Sequence, residues 1–364
     1  MHKIGFIGLG LIGGSIAMKI KENEPEASII ATTGRAETVR MAHAMGIIDN
    51  DSPLALADFA DCDVIFLCAP VQRNLEYLAG LKDVIGPNCY ITDVGSTKTD
   101  IHEEVIRLGL EEHFIGGHPM TGSEKTGIAN ADPAILVNAY YIITPTAVTP
   151  QDVVDQFVAF VRSLGAIPMI LDYRTHDHAT AAISHLPHMI AYTLVNLVED
   201  EDDSQETTKT IAAGGFKDIT RIASSSPVMW QNICLSNRDQ LLTLMDSYME
   251  KFGQIRQAVA DSDRQEMLSF FQSAKDYRDS IRVPNPSNDC MSIYEIYLDL
   301  DDKAGELARV ATILADAGIS IKNLGIVNNR EFEEGVLRVE FYRADAVQDA
   351  AQLLRSMGYQ LRER

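Results

Sequence analysis

The chain has 364 residues, enough for two or three domains, and its 46% apolar and 23% charged side chains are ordinary for a soluble globular protein. With 52 Asp and Glu against 31 Lys and Arg, the formal net charge of −21 repels phosphate backbones and anionic headgroups, which argues against nucleic-acid and membrane partners. The same field repels an anionic small substrate, so a pocket for one has to carry local cations.

The five cysteines, Cys62, Cys68, Cys89, Cys234 and Cys290, are odd in number and lack CxxC spacing. Neither a disulfide framework nor a thiolate metal site is expected, and free thiols fit a reducing, cytoplasmic setting. The N-terminal stretch MHKIGFIGLGLIGG is broken by glycines and has no cleavage-site pattern, so it reads as part of the fold. The uncharged window 133–151 contains three prolines and does not read as a membrane span.

From residue 3 to about 172, near-continuous apolar runs alternate with helical stretches: KIGFIG, ASIIAT, DVIFLCAP, CYITDVGS, HFIGGH, AYYIITP and AIPMILD. Strands covered on both faces read this way, which predicts an α/β domain over 1–172 built on a doubly wound parallel, Rossmann-type sheet. Over 173–283 the rhythm turns to three-and-four spacing, as in RDQLLTLMDSYMEKFGQIRQAV, and predicts an all-helical domain. Its acidic run at 199–206 is expected to be a solvated loop. A proline-containing linker, RVPNPSNDC, leads to a predicted βαββαβ unit over 291–364, a ferredoxin-like sandwich.

Directly after the first predicted strand, GFIGLGLIGGS sets Gly8, Gly10 and Gly13 in a GxGxxG register, followed by a helix that contains Leu11 and Ile12 and ends before Pro25. The first glycine allows the tight turn, the second a close approach of pyrophosphate, and the third contact between helix and strand. Dinucleotide binding is expected. The second strand ends ATTGR, with Thr32, Thr33 and Arg35 where an NAD enzyme usually carries an acid, which favours NADP or dual use over strict NAD. Further strand ends carry CAP at 68–70, including Ala69 and Pro70, DVGSTK at 93–98, and GGHPM at 116–120. His118 on that edge suits a group that takes a hydroxyl proton while hydride leaves for a nicotinamide.

In the helical region, THDHATAAISHLPH holds His176, His178, His185 and His188. The spacing invites a metal reading, but Pro187 interrupts it and no carboxylate or cysteine cluster completes a site, so no metal is expected. Further on, GGFKDITRIASSSPVMW places Lys217 and Arg221 at i, i+4 beside a glycine pair, a reasonable clamp for a substrate carboxylate in so acidic a chain.

Taken in order, GLGLIGGS, DVGSTK, GGHPMTGSEKTG, HDHATAAISHLPH and GGFKDITRIASSSPVMW resemble the prephenate dehydrogenase family, with arogenate dehydrogenase as a near relative, across essentially the whole chain. DKAGELARVATILADAGISIKNLGI resembles an ACT regulatory domain. The resemblance implies oxidation of the ring hydroxyl of prephenate with loss of the ring carboxylate as CO2, giving 4-hydroxyphenylpyruvate for tyrosine synthesis. It implies His118 as acceptor or base on that hydroxyl and Ser96 as a holder of the hydroxyl and the histidine. Arg221 would bind a substrate carboxylate, His188 and Lys217 would line the pocket, and Trp230 and Glu124 would be secondary pocket residues. A homodimer through the helical domain is also implied, as is an amino-acid effector, tyrosine by pathway logic, near Gly305 and Asn323. Another β-hydroxy or imino acid dehydrogenase, and a nicotinamide- and amino-acid-sensing protein without turnover, stay open as alternatives.

Overall fold

The computed structural model describes residues 3–122, 125–281, 294–300, 303–327, 335–341 and 343–362. The chain divides into two compact units, Met1–Pro284 and Asn285–Arg364.

The first unit begins β1 (Lys3–Ile7), α1 (Leu11–Asn23), β2 (Ser28–Thr32), α2 (Ala36–Ala44), β3 (Val64–Leu67), α3 (Val71–Leu81), β4 (Tyr90–Asp93) and α4 (Thr99–Leu108). It continues with β5 (Ile115–Pro119), β6 (Tyr140–Pro145), α5 (Gln151–Ser163) and β7 (Ile167–Ile170). All seven strands fall on the apolar runs named above. β2, β1, β3 and β4 lie side by side in parallel, with Phe6 opposite Ala31 on one side and Phe66 on the other. A parallel bridge from Ile91 to Phe114 connects β4 towards β5.

Beyond it the sheet departs from the all-parallel expectation. β5 runs antiparallel to β6, and β6 parallel to β7. The reason lies in the connection: a parallel neighbour needs a crossover element, and the described part of 120–139 holds only short 3-10 turns at Ile128–Asn130 and Pro133–Leu136. Both faces are covered. Ile4, Phe6, Phe66, Phe157 and Val161 belong to one apolar cluster, and Ile7, Ile65, Leu67, Ile101 and Val105 to the other. Fully burying a side chain such as Phe66 is worth about 1.5–3 kcal/mol, so the sheet is a rigid platform for its own carboxyl edge.

The remainder of the unit is helical: α6 (Tyr173–Thr180), a π turn at Ala181–His185, α7 (Leu186–Asp200), α8 (Thr207–Ile211), α9 (Gly214–Thr220), a 3-10 turn at Arg221–Ser224, α10 (Pro227–Ser236), α11 (Arg238–Ala260) and α12 (Arg264–Ser280). Asp172 starts α6 by accepting from the backbone N–H groups of Arg174 and Thr175, each at 3.0 Å. Contrary to the expectation from sequence, Pro187 does not break the helix. The π turn immediately before it widens the backbone at the carbonyls that a proline ring would otherwise strike. The acidic run is more than a solvated loop, since Asp202 and Asp203 accept from backbone N–H groups at Thr208 and Thr207 and so cap α8.

The helix formed by α6, the π turn and α7 is long and apolar enough to cross a membrane by length and composition, and 17% of its most apolar window is buried within the chain. It also carries the polar residues of the site described below.

The second unit contains β8 (Tyr294–Leu300), α13 (Glu306–Asp316), β9 (Ile321–Val327), β10 (Gly335–Phe341), α14 (Ala344–Ser356) and β11 (Leu361–Arg362). Its antiparallel sheet has the order β11-β8-β10-β9, and Leu298, Val310, Leu314, Leu337, Val339 and Leu354 form its core. The expected βαββαβ order is therefore present.

Candidate active site

Three turns meet at the carboxyl edge of the sheet. At the first, between β1 and α1, Gly8 has φ +98°, and a Cβ there would stand 2.7 Å from the carbonyl carbon of Cys68 and 2.8 Å from the nitrogen of Ala69. A side chain at Gly13 would meet Cys68 Cβ and Gly8 O at 2.9 Å, while Gly10, at the start of α1, faces open space. These are a tight turn, a close helix-strand contact and an open approach to backbone N–H groups at Leu11 and Ile12 that a first helical turn leaves without intrahelical partners. The residues fit a dinucleotide pyrophosphate. Ala69 and Pro70 lie alongside, at the β3 to α3 turn, where Asn74 Oδ1 accepts from Ala69 N at 3.2 Å.

At the end of β2, the Thr32 hydroxyl donates to Leu54 O at 2.9 Å, and the Thr33 hydroxyl is taken up with Arg35 backbone atoms. Of this group, the exposed Arg35 guanidinium is what remains to meet a ribose or its phosphate.

The chemistry-bearing cluster is at β4, β5 and α6. His118 Nδ1 is 2.8 Å from His176 Nε2, and His176 Nδ1 is 2.8 Å from Asp177 Oδ1. Asp177 Oδ1 also accepts from Lys98 N at 2.7 Å, and Oδ2 from Thr99 N at 2.7 Å, so this carboxylate caps α4 while it holds His176. The bonds assign the tautomers. Acceptor-only Asp177 requires N–H at His176 Nδ1, which leaves His176 Nε2 an acceptor. His118 Nδ1 then donates, and the lone pair of His118 Nε2 is free to accept a proton.

Burial, followed by the nearby His176 and Lys98, pushes the proton affinity of His118 well below the ordinary imidazole range, although the residue as a whole is only half-buried. Burial alone would raise the Asp177 carboxyl, but hydrogen bonds from His176 and Thr99 outweigh it and the net shift is downward. The arrangement is an imidazole with an open acceptor nitrogen, backed by a second imidazole and a carboxylate.

Beneath it, the fully buried Lys98 ammonium donates to Asp93 Oδ2 and, at 2.8 Å, to Gly117 O. Asp93 in turn accepts from Gly95 N at 2.8 Å and from Gly117 N at 3.2 Å. Ser96 is half-buried on this β4 to α4 turn. The ring partner of His118 on its Nδ1 side is His176 rather than Ser96.

A second cluster surrounds Trp230 on α10. His188 stacks on its indole with ring centroids 3.6 Å apart and donates from Nδ1 to Ser184 O at 2.9 Å. Burial lowers the proton affinity of His188, the Ser184 carbonyl raises it and the positive charge of Arg221 lowers it further. Trp230 Nε1 is buried with no hydrogen-bond partner. Arg221 opens the 3-10 turn after α9, and Lys217 lies exposed one turn earlier. His185 joins the two clusters: its ring sits 5.9 Å from that of Trp230, and it shares the Asn237 amide with Asp177 O. The histidines of THDHATAAISHLPH are thus engaged in hydrogen bonds, His178 with Gln240 Oε1 included, and among the described residues no group of three His, Cys, Asp or Glu is placed to hold a metal.

Glu124 lies outside the described residues, as does Cys290; Cys62, Cys68, Cys89 and Cys234 are free thiols. In the second unit, Gly305 has φ +97° at the start of α13, and Asn323 on β9 donates to Glu340 Oε1 at 3.3 Å. Sequence reasoning missed Asp177, Lys98, Asp93 and Asn237 and passed over His176 except as a metal ligand. The usable signal for Asp177 was its place five residues after the helix-capping Asp172.

Residues 16–169 match the model of the prephenate dehydrogenase nucleotide-binding domain, and residues 172–273 that of the prephenate dehydrogenase dimerization domain. A prephenate dehydrogenase of Bacillus subtilis is 36% identical over 351 residues, 95% of this chain and 94% of that protein. Among solved structures, prephenate dehydrogenase from Aquifex aeolicus in complex with hydroxyphenyl propionate and NAD+ is similar at TM-score 0.72 and 26% identity, covering 78% of this chain and 99% of that one. Synechocystis arogenate dehydrogenase is similar at TM-score 0.68 and 30% identity, covering 76% and 99%. The chain belongs to the prephenate dehydrogenase family of oxidoreductases.

Proposed function

We propose that this enzyme oxidises the ring hydroxyl of prephenate with loss of the ring carboxylate, yielding 4-hydroxyphenylpyruvate, and that His118 is its base. The observation that carries this reading is the hydrogen-bonded series His118, His176, Asp177 at the sheet edge that also holds the glycine turn. NAD+ would be held by Gly8, Gly10, Leu11, Ile12 and Gly13, beside Ala69 and Pro70, and would supply the hydride acceptor. The ring hydroxyl gives its proton to His118 Nε2 as the C–H bond is lost. The electron pair of the departing carboxylate C–C bond enters the ring, which becomes aromatic, and the phenolate oxygen takes the proton back.

The protein's part is to orient the substrate and to carry one proton for a moment. Ser96 holds the hydroxyl near His118. Arg221 binds the side-chain carboxylate, with Lys217, His188 and Trp230 as further pocket residues; Glu124 takes a secondary role in the pocket by resemblance to the family. Arg35, with no acid at the end of β2, supports use of NADP beside NAD.

The domain division is 1–172 for nucleotide, 173–283 for substrate and dimer contact, and 291–364 for regulation. A homodimer is supported by the dimerization-domain match and by Met249, Phe252, Leu268 and Phe271 on α11 and α12, each between 58% and 63% exposed in the single chain. Coverage of the Bacillus subtilis protein over 95% of this chain takes in the βαββαβ unit, which supports an ACT-type role with an amino acid, tyrosine, bound near Gly305 and Asn323. The cysteine pattern supports a cytoplasmic setting.

The test is nicotinamide reduction measured with prephenate and with arogenate, each with NAD+ and with NADP+, with and without tyrosine. Turnover of prephenate is expected. Turnover of arogenate alone would reassign the substrate, and no effect of tyrosine would remove it as effector.

A further inference from the structure

Lys98 is the buried cation that the proposed reaction does not use. It is 0% exposed and Asp93 is 1% exposed, in an ion pair beneath the strand ends. Such a pair is poor value as a stabiliser, because desolvating both charges offsets most of their attraction and an apolar pair of the same shape does as well. Its bonds point elsewhere. Lys98 Nζ and Asp93 grip Gly117 through its carbonyl and its N–H, and Asp93 grips Gly95 N. Gly117 precedes His118 and Gly95 precedes Ser96 in the chain. No side chain is tolerated at Gly117, whose Cβ would stand 2.7 Å from Asp93 O and 2.8 Å from Tyr141 Oη. The Lys98 backbone N–H is bound to Asp177, so this one residue bonds to β4 through Asp93, β5 through Gly117 and α6 through Asp177.

The charges follow a simple count. Asp93 and Asp177 contribute two buried negative charges and Lys98 one positive, which leaves one excess negative charge around His118. A proton arriving on His118 cancels it. Without Lys98 the excess would be two, which favours a proton on His118 against the burial and the His176 that still oppose it. The groups facing His118 are Lys98 from the β4 to α4 turn, His176 on α6 and His185 in the π turn, with Asp177 one hydrogen bond beyond.

We infer that Lys98, paired with Asp93, is a positioning residue of the reaction that fixes the backbone before His118 and Ser96 and keeps His118 an unprotonated acceptor. This rests on the reading of His118 as base.

The test uses full-length enzyme carrying Lys98→Met, Lys98→Arg or the neutral pair Lys98→Met with Asp93→Asn. It measures kcat, KM, NAD+ affinity, the acid limb of kcat against pH and thermal unfolding. Lys98→Met should lower kcat by about 10²–10³-fold with KM and NAD+ affinity within about threefold, and should move the acid limb to higher pH. Lys98→Arg should keep the acid limb in place even where kcat falls. The double variant should recover thermal stability without recovering kcat.

A double variant restored in both stability and kcat, or any folded Lys98→Met enzyme with near-parental kcat and an unmoved acid limb, overturns the inference in favour of a structural pair. Failure of both the single and the double variant to fold overturns it in the same way. Parent enzyme assayed beside them separates the two readings. If the parent turns over arogenate and not prephenate, the substrate assignment fails and the Lys98 comparison is read on arogenate.

Discussion

Replacing Asp177 with Asn removes one charge and keeps the shape. Two 2.8 Å hydrogen bonds and the width of one imidazole put this carboxylate roughly 8 Å from the His118 ring. At an effective dielectric of about 20, Coulomb attraction for an imidazolium there is about 2 kcal/mol. Losing it lowers the basicity of His118 about 30-fold, moves the acid limb of kcat/KM about 1.5 pH down and should cut kcat by about 10–100-fold, with KM for substrate within about threefold. Stability shifts separately, because the new amide sets a second donor against the Thr99 N–H that Asp177 Oδ2 now accepts. The parent carboxyl is depressed on folding, so its stabilisation is complete above the unfolded value near about pH 4 and is lost as pH falls through the folded one. The Asn enzyme should lack that acid-dependent loss. Stopped-flow and steady-state rates across pH, with calorimetry alongside, decide the matter. An Asn enzyme with unchanged kcat and an unmoved acid limb would refute the relay.

Four further outcomes are expected. His118→Asn should reduce kcat by about 10²–10⁴ while equilibrium binding of substrate persists, and a near-normal kcat removes His118 from the chemistry. Arg221→Ala should chiefly raise KM; if KM stays put, the carboxylate is held elsewhere. Gly8→Ala forces a left-handed φ and a backbone overlap, so the melting temperature should drop by the equivalent of about 1–3 kcal/mol and nucleotide titration should show weaker binding. Arg35→Ala should raise KM for NADP+ and leave that for NAD+ nearly unchanged; equal shifts for both cofactors would mean Arg35 does not read the 2′ position.

The strands were legible because a strand buried on both faces has to be apolar along its length, and seven such runs stood in order between turn residues. Direction was not legible. An apolar run looks the same in a parallel and an antiparallel pair, so the reversal between β5 and β6 shows only in the fold. His118 could be found because glycines and a proline place it at a strand end. Its partners could not, since His176 is 58 residues away and sits in a motif whose spacing suggested a metal. Lys98 was hidden for another reason: lysine is so rarely fully buried that a lysine beside a polar turn reads as solvated. The proposed carboxylate clamp is a middle case, with Arg221 named from the chain's acidity and Trp230 from resemblance.

The π turn between α6 and α7 adds one residue to a helical circuit, about 100° of extra rotation. Upstream, His176 and Asp177 face the strand ends; downstream, His185 and His188 face the indole of Trp230. One rod therefore presents unlike surfaces to the strand ends and to Trp230. On the proposed roles, sequence drift on the downstream turns would reshape recognition while the upstream turn, fixed to α4 by Asp177, would leave proton transfer untouched. Deleting a single residue at Ala181–His185 would abolish that separation and swing the recognition half of the rod away from its partner, although every side chain needed for the reaction would still be present.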